Sequence, residues 1–274
     1  MQGLDPSVFS EAAISEEIAA QNAEIIARLK AGPDPWSLEP RVIRQARAEG
    51  RGPFPLPPKC PRAETIRIKG RHGPIGLRVI APTGGAVAGA FLHIHGGGWV
   101  IGSPDHQDDR LERLANGLGL VVLSVDYRLA PEFPYPIGPD DCEDAALWLA
   151  QDGARALGAS FLAIGGESAG AHLSVVALLR LRDRHGLAPY HAAVLTAGCF
   201  DLGLTPSARK ATGERLILDR RDIEMFARHF LVRGGDLRDP DISPLYADLH
   251  GLPPAHFSVG TRAALLDDSL FMAE

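Results

Sequence analysis

Five short apolar runs, separated by segments with helical patterning, constrain the fold of this chain more than any other feature. The runs cover residues 89–95, 120–127, 161–166, 192–197 and 256–260. The segments between the earlier runs predict helices over about 107–118, 140–151 and 169–184. Continuous apolar runs of this length are typical of parallel strands covered on both faces. The alternation therefore predicts an α/β fold with a mostly parallel central sheet and helices on both faces.

The first 60 residues predict a helical segment that lies outside this sheet. Isoleucines recur at helical intervals from residue 14, with Ser10 or Ser15 as the cap, and a second short helix is predicted over 40–48. Two half-buried strands then follow from residue 64, and residues 201–240 form a charged, helical insertion. We therefore predict a helical segment over 1–60 and a core over 61–274 that carries the insertion.

Composition excludes several functional classes. A net charge of −6 argues against a general affinity for nucleic acid or an anionic membrane surface. No apolar stretch is long enough for a membrane helix, and the N-terminus lacks the pattern of a secretory signal. The 3 cysteines are too few and too scattered for a disulfide framework or a zinc site. We expect a cytoplasmic protein without a metal or an organic cofactor.

The pentapeptide Gly166-Glu167-Ser168-Ala169-Gly170 lies between a predicted strand and an amphipathic helix. A Gly-x-Ser-x-Gly motif in that context predicts a nucleophile elbow, in which the serine occupies a strained turn. The helix behind the turn presents free amides and the positive end of its dipole. Ser168 is therefore the candidate nucleophile, with the Ala169 amide aimed at a developing oxyanion. A serine that merely caps the helix is the structural alternative.

A second motif, His95-Gly96-Gly97-Gly98-Trp99, ends an earlier predicted strand. Glycines let backbone amides face a ligand without obstruction by side chains. Two amides of this loop, together with that of Ala169, could form an oxyanion hole with three donors. The alternative, a plain glycine turn, does not explain why both motifs occur together in this order.

Together the motifs resemble those of the hormone-sensitive-lipase-like family of carboxylesterases, which have the α/β-hydrolase fold. The match also includes Asp126-Tyr127-Arg128-Leu129-Ala130-Pro131-Glu132, Tyr135-Pro136, Ser243-Pro244-Leu245 and Gly251-Leu252-Pro253-Pro254. The resemblance implies hydrolysis of short- to medium-chain acyl esters through an acyl-enzyme on Ser168. It implies Gly97, Gly98 and Ala169 as oxyanion donors, and His95, Gly96 and Glu167 as supporting residues.

The resemblance also implies that residues 1–60 and the insertion form a cap over the site. The implied partner is a small-molecule ester, and no nucleic acid or membrane is implied. The sequence does not separate esterase from amidase or lactonase activity, and it is compatible with a homodimer.

The chain departs from the family where the catalytic acid is expected. The family pattern Gly-x-x-Asp-x-Leu-x-Asp corresponds to residues 260–267, which places Ala263 at the acid position. Asp267 matches a second family carboxylate that has a structural role. A shift of the acid role to Asp267 or to Asp268 stays open.

The chain also departs from the family at the catalytic histidine. No histidine follows His256, whereas the family's catalytic histidine comes after one further strand. That final strand and its helix are therefore predicted to be absent, and His95 and His172 are poor substitutes.

A serine without its base is a weak nucleophile, and loss of the triad histidine alone can cost roughly 10⁶ in turnover. We therefore predict an esterase site that is strongly impaired in this chain. Three explanations stay open. The chain is a truncated or altered form of an active enzyme, or a pseudoenzyme that binds an acyl-like ligand, or a second chain supplies the missing strand and histidine.

Overall fold

The computed structural model describes residues 5–274 of the chain. Its strands are β1 (Glu64–Gly70), β2 (Gly73–Ile80), β3 (Gly89–Ile94), β4 (Leu120–Asp126), β5 (Phe161–Glu167), β6 (Ala192–Thr196) and β7 (Ala255–Ser258). They form one sheet in the order β1-β2-β4-β3-β5-β6-β7. The first two strands pair antiparallel, β2 is also antiparallel to β4, and the other neighbours are parallel. The five predicted apolar runs are thus the parallel strands.

Helices connect these strands and cover the sheet. They are α1 (Glu16–Ala31), α2 (Pro40–Ala48), α3 (Asp108–Leu118), α4 (Ile137–Trp148), α5 (Ala154–Leu157), α6 (Ala169–His185), α7 (Pro206–Lys210), α8 (Arg220–Phe230) and α9 (Leu266–Ala273). Short 3-10 turns cover Pro6–Phe9, Glu11–Ala13, Pro35–Ser37 and Pro244–Tyr246, and a π turn over Leu149–Gly153 joins α4 to α5. The helix predicted over 140–151 begins earlier than expected, because prolines are tolerated in its first turn.

The central strands carry two hydrophobic clusters, one on each face. Leu92 and Leu123 belong to the cluster that contains the apolar side chains of α4 and α6. Phe91 and Val122, their neighbours in sequence, point to the opposite face and join the cluster that contains Leu111 of α3. This alternation follows from the two-residue period of a strand and confirms the predicted fold class, a mostly parallel sheet covered on both faces.

The two segments predicted as a cap contact each other directly. The Trp36 indole nitrogen donates a hydrogen bond to Asp222 Oδ1 at 2.7 Å. The Trp36 ring also packs edge-to-face against Phe226 of α8, with ring centroids 4.7 Å apart. An ion pair of 2.8 Å between Arg221 and Asp34 lies on the same contact. The N-terminal arm is therefore anchored to the insertion.

Two further features bear on function. All three cysteines are free and buried. Among the helices of residues 5–274, none combines the length and the apolar character that crossing a bilayer requires.

Candidate active site

Ser168 lies in the turn between β5 and α6, in a backbone conformation that few residues adopt. Its φ is 56° and its ψ is −119°, and such strained positions cost of order 1–3 kcal/mol. The Ser168 amide donates to the carbonyl of Thr196 in β6 at 2.9 Å, which holds the turn. Glycine is required at 166 and 170, because a Cβ there would lie 1.9 and 1.8 Å from the carbonyl oxygen of Ile94. The predicted elbow is therefore present, and the Gly-x-Ser-x-Gly spacing follows from close packing against β3.

The glycine loop forms a tight turn directly after β3. Gly97 has a φ of 119°, and a Cβ on it would stand 2.0 Å from the carbonyl oxygen of Ile101. Gly98 has a φ of 59°, and the ring of Phe226 lies against it. Within residues 5–274 the amides of Gly97 and Gly98 have no backbone partner. Ala169 begins α6, where the first amides lack intrahelical acceptors. The loop and the elbow thus offer amides that can stabilise an anion.

Glu167 connects the elbow to the glycine loop. Its Oε1 accepts a hydrogen bond from the Gly96 amide at 2.9 Å, and its Oε2 lies 3.1 Å from Nε2 of His93. Burial alone would raise the pKa of this carboxyl, but the His93 interaction and the Gly96 amide outweigh it and lower the pKa to about 2. A carboxylate with this pKa is a poor proton acceptor near neutral pH, so its geometry suits a supporting role.

His95 and His172 are both buried within the protein. The His95 ring stacks on Tyr127 with centroids 4.3 Å apart, and its Nδ1 lies 2.9 Å from the Gly96 carbonyl oxygen. His172 Nδ1 accepts from the Trp99 indole at 3.1 Å, and its Nε2 is 2.9 Å from the Ile242 carbonyl oxygen. Burial lowers the pKa of each histidine to about 4. Both nitrogens of His172 are occupied, so it is not free to serve as a base.

A pocket of about 560 Å³ opens at Ser168. Its other lining residues are Ala13, Ile14, Ile18, Asn22, Ile25, Ala197, Leu216, Ile217, Leu218, Val259, Gly260, Thr261, Arg262, Ala263, Ala264 and Leu265. Most of these side chains are apolar, and α1 contributes part of the wall. In the described part of the chain, neither a carboxylate nor any of the 10 histidines lines this pocket. Likewise, residues 5–274 contain no cluster of side chains that could hold a metal ion.

The residues around the position predicted for the catalytic acid are divided between the pocket wall and contacts away from it. Ala263 lines the pocket together with Ser168, whereas Asp267 and Asp268 do not. Asp267 Oδ2 accepts a hydrogen bond from the Ser207 amide at 2.7 Å, and the Asp267 amide donates to Ser207 Oγ at 3.0 Å. This reciprocal pair joins α9 to α7.

Asp268 is completely buried and fixes the segment that follows β6. Its Oδ1 accepts from the amides of Phe200 and Asp201 at 2.6 and 3.0 Å. Its Oδ2 accepts from the Thr205 hydroxyl at 2.6 Å. Burial raises the pKa of Asp268 from 3.8 to about 6, although these three donors oppose the shift. Both oxygens are therefore committed to structure.

The raised pKa predicts a pH-dependent difference in stability between the native chain and Asp268→Asn. As the pH rises from 3.8 towards 6, the unfolded carboxyl ionises before the folded one, so stability is lost in this window. When the pH is raised from about 4.5 to about 7.5, we expect the unfolding free energy of the native chain to fall by about 2 kcal/mol relative to that of Asp268→Asn. Urea unfolding at both pH values measures the difference. If the two proteins differ in unfolding free energy by the same amount at both pH values, the buried carboxyl does not have a raised pKa.

Comparison with known proteins agrees with this architecture. Residues 91–274 match the family model described as alpha/beta hydrolase fold. The chain is 36% identical to Esterase LipI of Mycobacterium tuberculosis over 223 aligned residues. The alignment covers 78% of this chain and 68% of LipI. It is 34% identical to Carboxylic ester hydrolase LipN of the same organism, covering 74% of this chain but only 56% of that protein.

Solved structures of esterases also superpose on this chain. An esterase of Pyrobaculum calidifontis superposes with a TM-score of 0.78 at 35% identity, covering 90% of this chain and 82% of that one. EstE1, described as a thermophilic and thermostable carboxylesterase from a metagenomic library, superposes with a TM-score of 0.76 at 30% identity. The superposition covers 88% of this chain and 83% of EstE1. The chain therefore belongs to the hormone-sensitive-lipase-like family of carboxylesterases, within the α/β-hydrolase fold.

Proposed function

We propose that the chain carries the acyl-transfer site of a carboxylic ester hydrolase, with Ser168 as the nucleophile. The observation that carries the proposal is the strained turn of Ser168 in the wall of a mostly apolar pocket. Ser168 Oγ attacks the ester carbonyl carbon and transfers its proton to solvent water, and the amides of Gly97, Gly98 and Ala169 donate to the oxyanion. Collapse of this intermediate breaks the ester C–O bond and expels the alkoxide, which takes up a proton from solvent and leaves as the alcohol. Water then adds to the acyl carbon, and collapse of this second intermediate releases the carboxylic acid and returns a proton to Ser168 Oγ.

Turnover is slow in this proposal, because the described residues that line the pocket include no carboxylate or imidazole to accept a proton. Ala263, which the sequence pattern predicts at the position of the family's acid, lines this wall, and no imidazole lines the described wall. Without a base, both the attack of Ser168 and the attack of water on the acyl-enzyme are slowed. The oxyanion donors and substrate binding remain, and such features alone can retain about 10³–10⁴ over the reaction in water.

The pocket supports the remaining parts of the proposal. Its apolar wall suits short- to medium-chain acyl groups of small-molecule esters. Residues of α1 and residues 216–218 contribute to that wall, which supports a cap formed by the N-terminal segment and the insertion. Free, buried cysteines favour a cytoplasmic location.

Mass spectrometry of the acyl-enzyme tests the proposal. The leaving group of p-nitrophenyl butyrate departs without protonation, so acylation of Ser168 depends less on a base than deacylation does. We therefore expect a butyryl adduct on Ser168 to accumulate over time, and no adduct on the peptide from Ser168→Ala. An adduct that forms equally on both proteins, at other residues, would remove Ser168 from the proposed role.

A ligand-binding role without catalysis is the second candidate, and the absence of an acid or a base from the described pocket wall favours it. In that case a non-hydrolysable analogue of a butyrate ester, such as a propyl ketone, binds the native chain and Ser168→Ala with the same affinity. The butyryl adduct would then be missing.

A further inference from the structure

A second pocket lies behind the glycine loop and has a volume of about 310 Å³. Its wall includes Arg47 of α2, Lys59, Ser103, Asp105 and His106. It shares no described lining residue with the pocket at Ser168. The pocket is therefore a separate site, and its wall is rich in nitrogen donors.

The pocket adjoins the back of the glycine loop. Gly102, which also lines it, packs so closely that a Cβ there would lie 2.3 Å from the Gly96 carbonyl oxygen and 2.6 Å from His95 Nδ1. Its φ of 105° is one that glycine adopts readily. One side of this wall is thus in contact with residues that shape the proposed oxyanion hole.

Most charges in the wall are already paired. Arg44 donates to the Val100 carbonyl at 2.8 Å and pairs with Glu132. Lys59 pairs with Asp105 at 2.6 Å. Asp105 also accepts from Ser103. Burial alone would raise the pKa of Asp105, but Lys59 and Ser103 lower it to about 2, so its charge is compensated.

Arg47 is the exception. Its Nε is buried and has no hydrogen-bond partner among the described residues. Burial lowers the pKa of its guanidinium, and no carboxylate of residues 5–274 opposes this shift. An arginine nevertheless stays protonated in a protein, so the pocket contains a positive charge that has lost part of its hydration without gaining a counter-charge. Burial lowers the pKa of His106, and the charge of Arg47 lowers it further, so the neutral imidazole ring is favoured.

We propose that this pocket binds a small oxyanion, the carboxylate or phosphate group of a small molecule, through the guanidinium of Arg47 with His106 beside it. The planar fork of arginine matches both groups, and a charge-assisted pair is strongest where water is partly excluded. The bound anion supplies the missing counter-charge and connects α2 to the segment that follows the glycine loop.

Calorimetric titration of the whole chain with inorganic phosphate, and separately with acetate, tests the proposal. We expect saturable binding of at least one anion, and Arg47→Met should weaken it by about tenfold or more. Arg41→Met, an exposed position on the same helix, is the matched control and should bind within about twofold of the native chain. The anion that binds more tightly identifies the group that the pocket prefers.

Thermal unfolding provides a second readout that a merely structural role would not produce. Without an anion, Arg47→Met should unfold at the same or a higher temperature than the native chain, because an unpaired buried charge has been removed. With saturating anion, the native chain should unfold at a higher temperature than Arg47→Met, because only the native chain gains stability from the ligand. Absence of saturable binding of both anions, or equal binding by Arg47→Met, would overturn the proposal.

Discussion

Replacement of Gly97 by alanine is expected to slow acylation of Ser168 by about 10²–10³. The new Cβ would stand 2.0 Å from the carbonyl oxygen of Ile101, at a φ of 119° that alanine rarely adopts. The turn must open to accommodate it, so the amides of Gly97 and Gly98 move relative to that of Ala169. The rate of appearance of the butyryl adduct on Ser168 measures the loss.

Gly117→Ala is the matched control for this substitution. Gly117 lies in α3, and a Cβ on it meets no atom within 4 Å. We expect Gly117→Ala to acylate at the native rate. Its unfolding free energy should rise by up to about 1 kcal/mol, because alanine has a higher helix propensity than glycine. If Gly97→Ala also acylates at the native rate, the loop amides do not stabilise the oxyanion.

Free imidazole is expected to raise Ser168-dependent hydrolysis of p-nitrophenyl butyrate by at least about tenfold. The pocket wall near Ser168 includes Gly260, Ala263 and Ala264, whose small side chains leave room for a ring. A neutral imidazole bound there can accept the Oγ proton and then activate water for deacylation. Release of p-nitrophenol over a series of imidazole concentrations measures the effect.

Imidazole also hydrolyses activated esters by itself, so Ser168→Ala is measured in parallel and its rate is subtracted. We expect a saturable gain in the native chain only. A gain of equal size in Ser168→Ala would mean that the added base does not act through Ser168.

Most of the fold could be predicted because its elements follow from local patterns. Each apolar run became a parallel strand, and the helices predicted over 40–48 and 169–184 appear as Pro40–Ala48 and Ala169–His185. The elbow was predictable for the same reason, since a strand, a glycine-flanked serine and a helix are adjacent in sequence. The start of α4 was misplaced, because prolines in a first helical turn look like a loop in sequence.

The pocket wall was less predictable because it depends on contacts between distant segments. Ile18 and Ile25 recur at helical spacing, yet nothing local indicates that they line the pocket at Ser168 rather than pack on the sheet. The contacts of Asp268 with the segment after β6 also have no local pattern. The partners of Glu167 could in principle be found from strand pairing, since β3 and β5 are parallel neighbours.

Steady-state hydrolysis of p-nitrophenyl butyrate by the native chain and by Ser168→Ala tests the central claim most directly. We propose that Ser168 has oxyanion donors and an acyl pocket but no base among the described residues around it. This proposal predicts turnover several orders of magnitude below the roughly 1–10³ s⁻¹ that is typical of enzymes. Turnover within that range by the native chain, abolished in Ser168→Ala, would mean that a base acts on Ser168 and would contradict the claim.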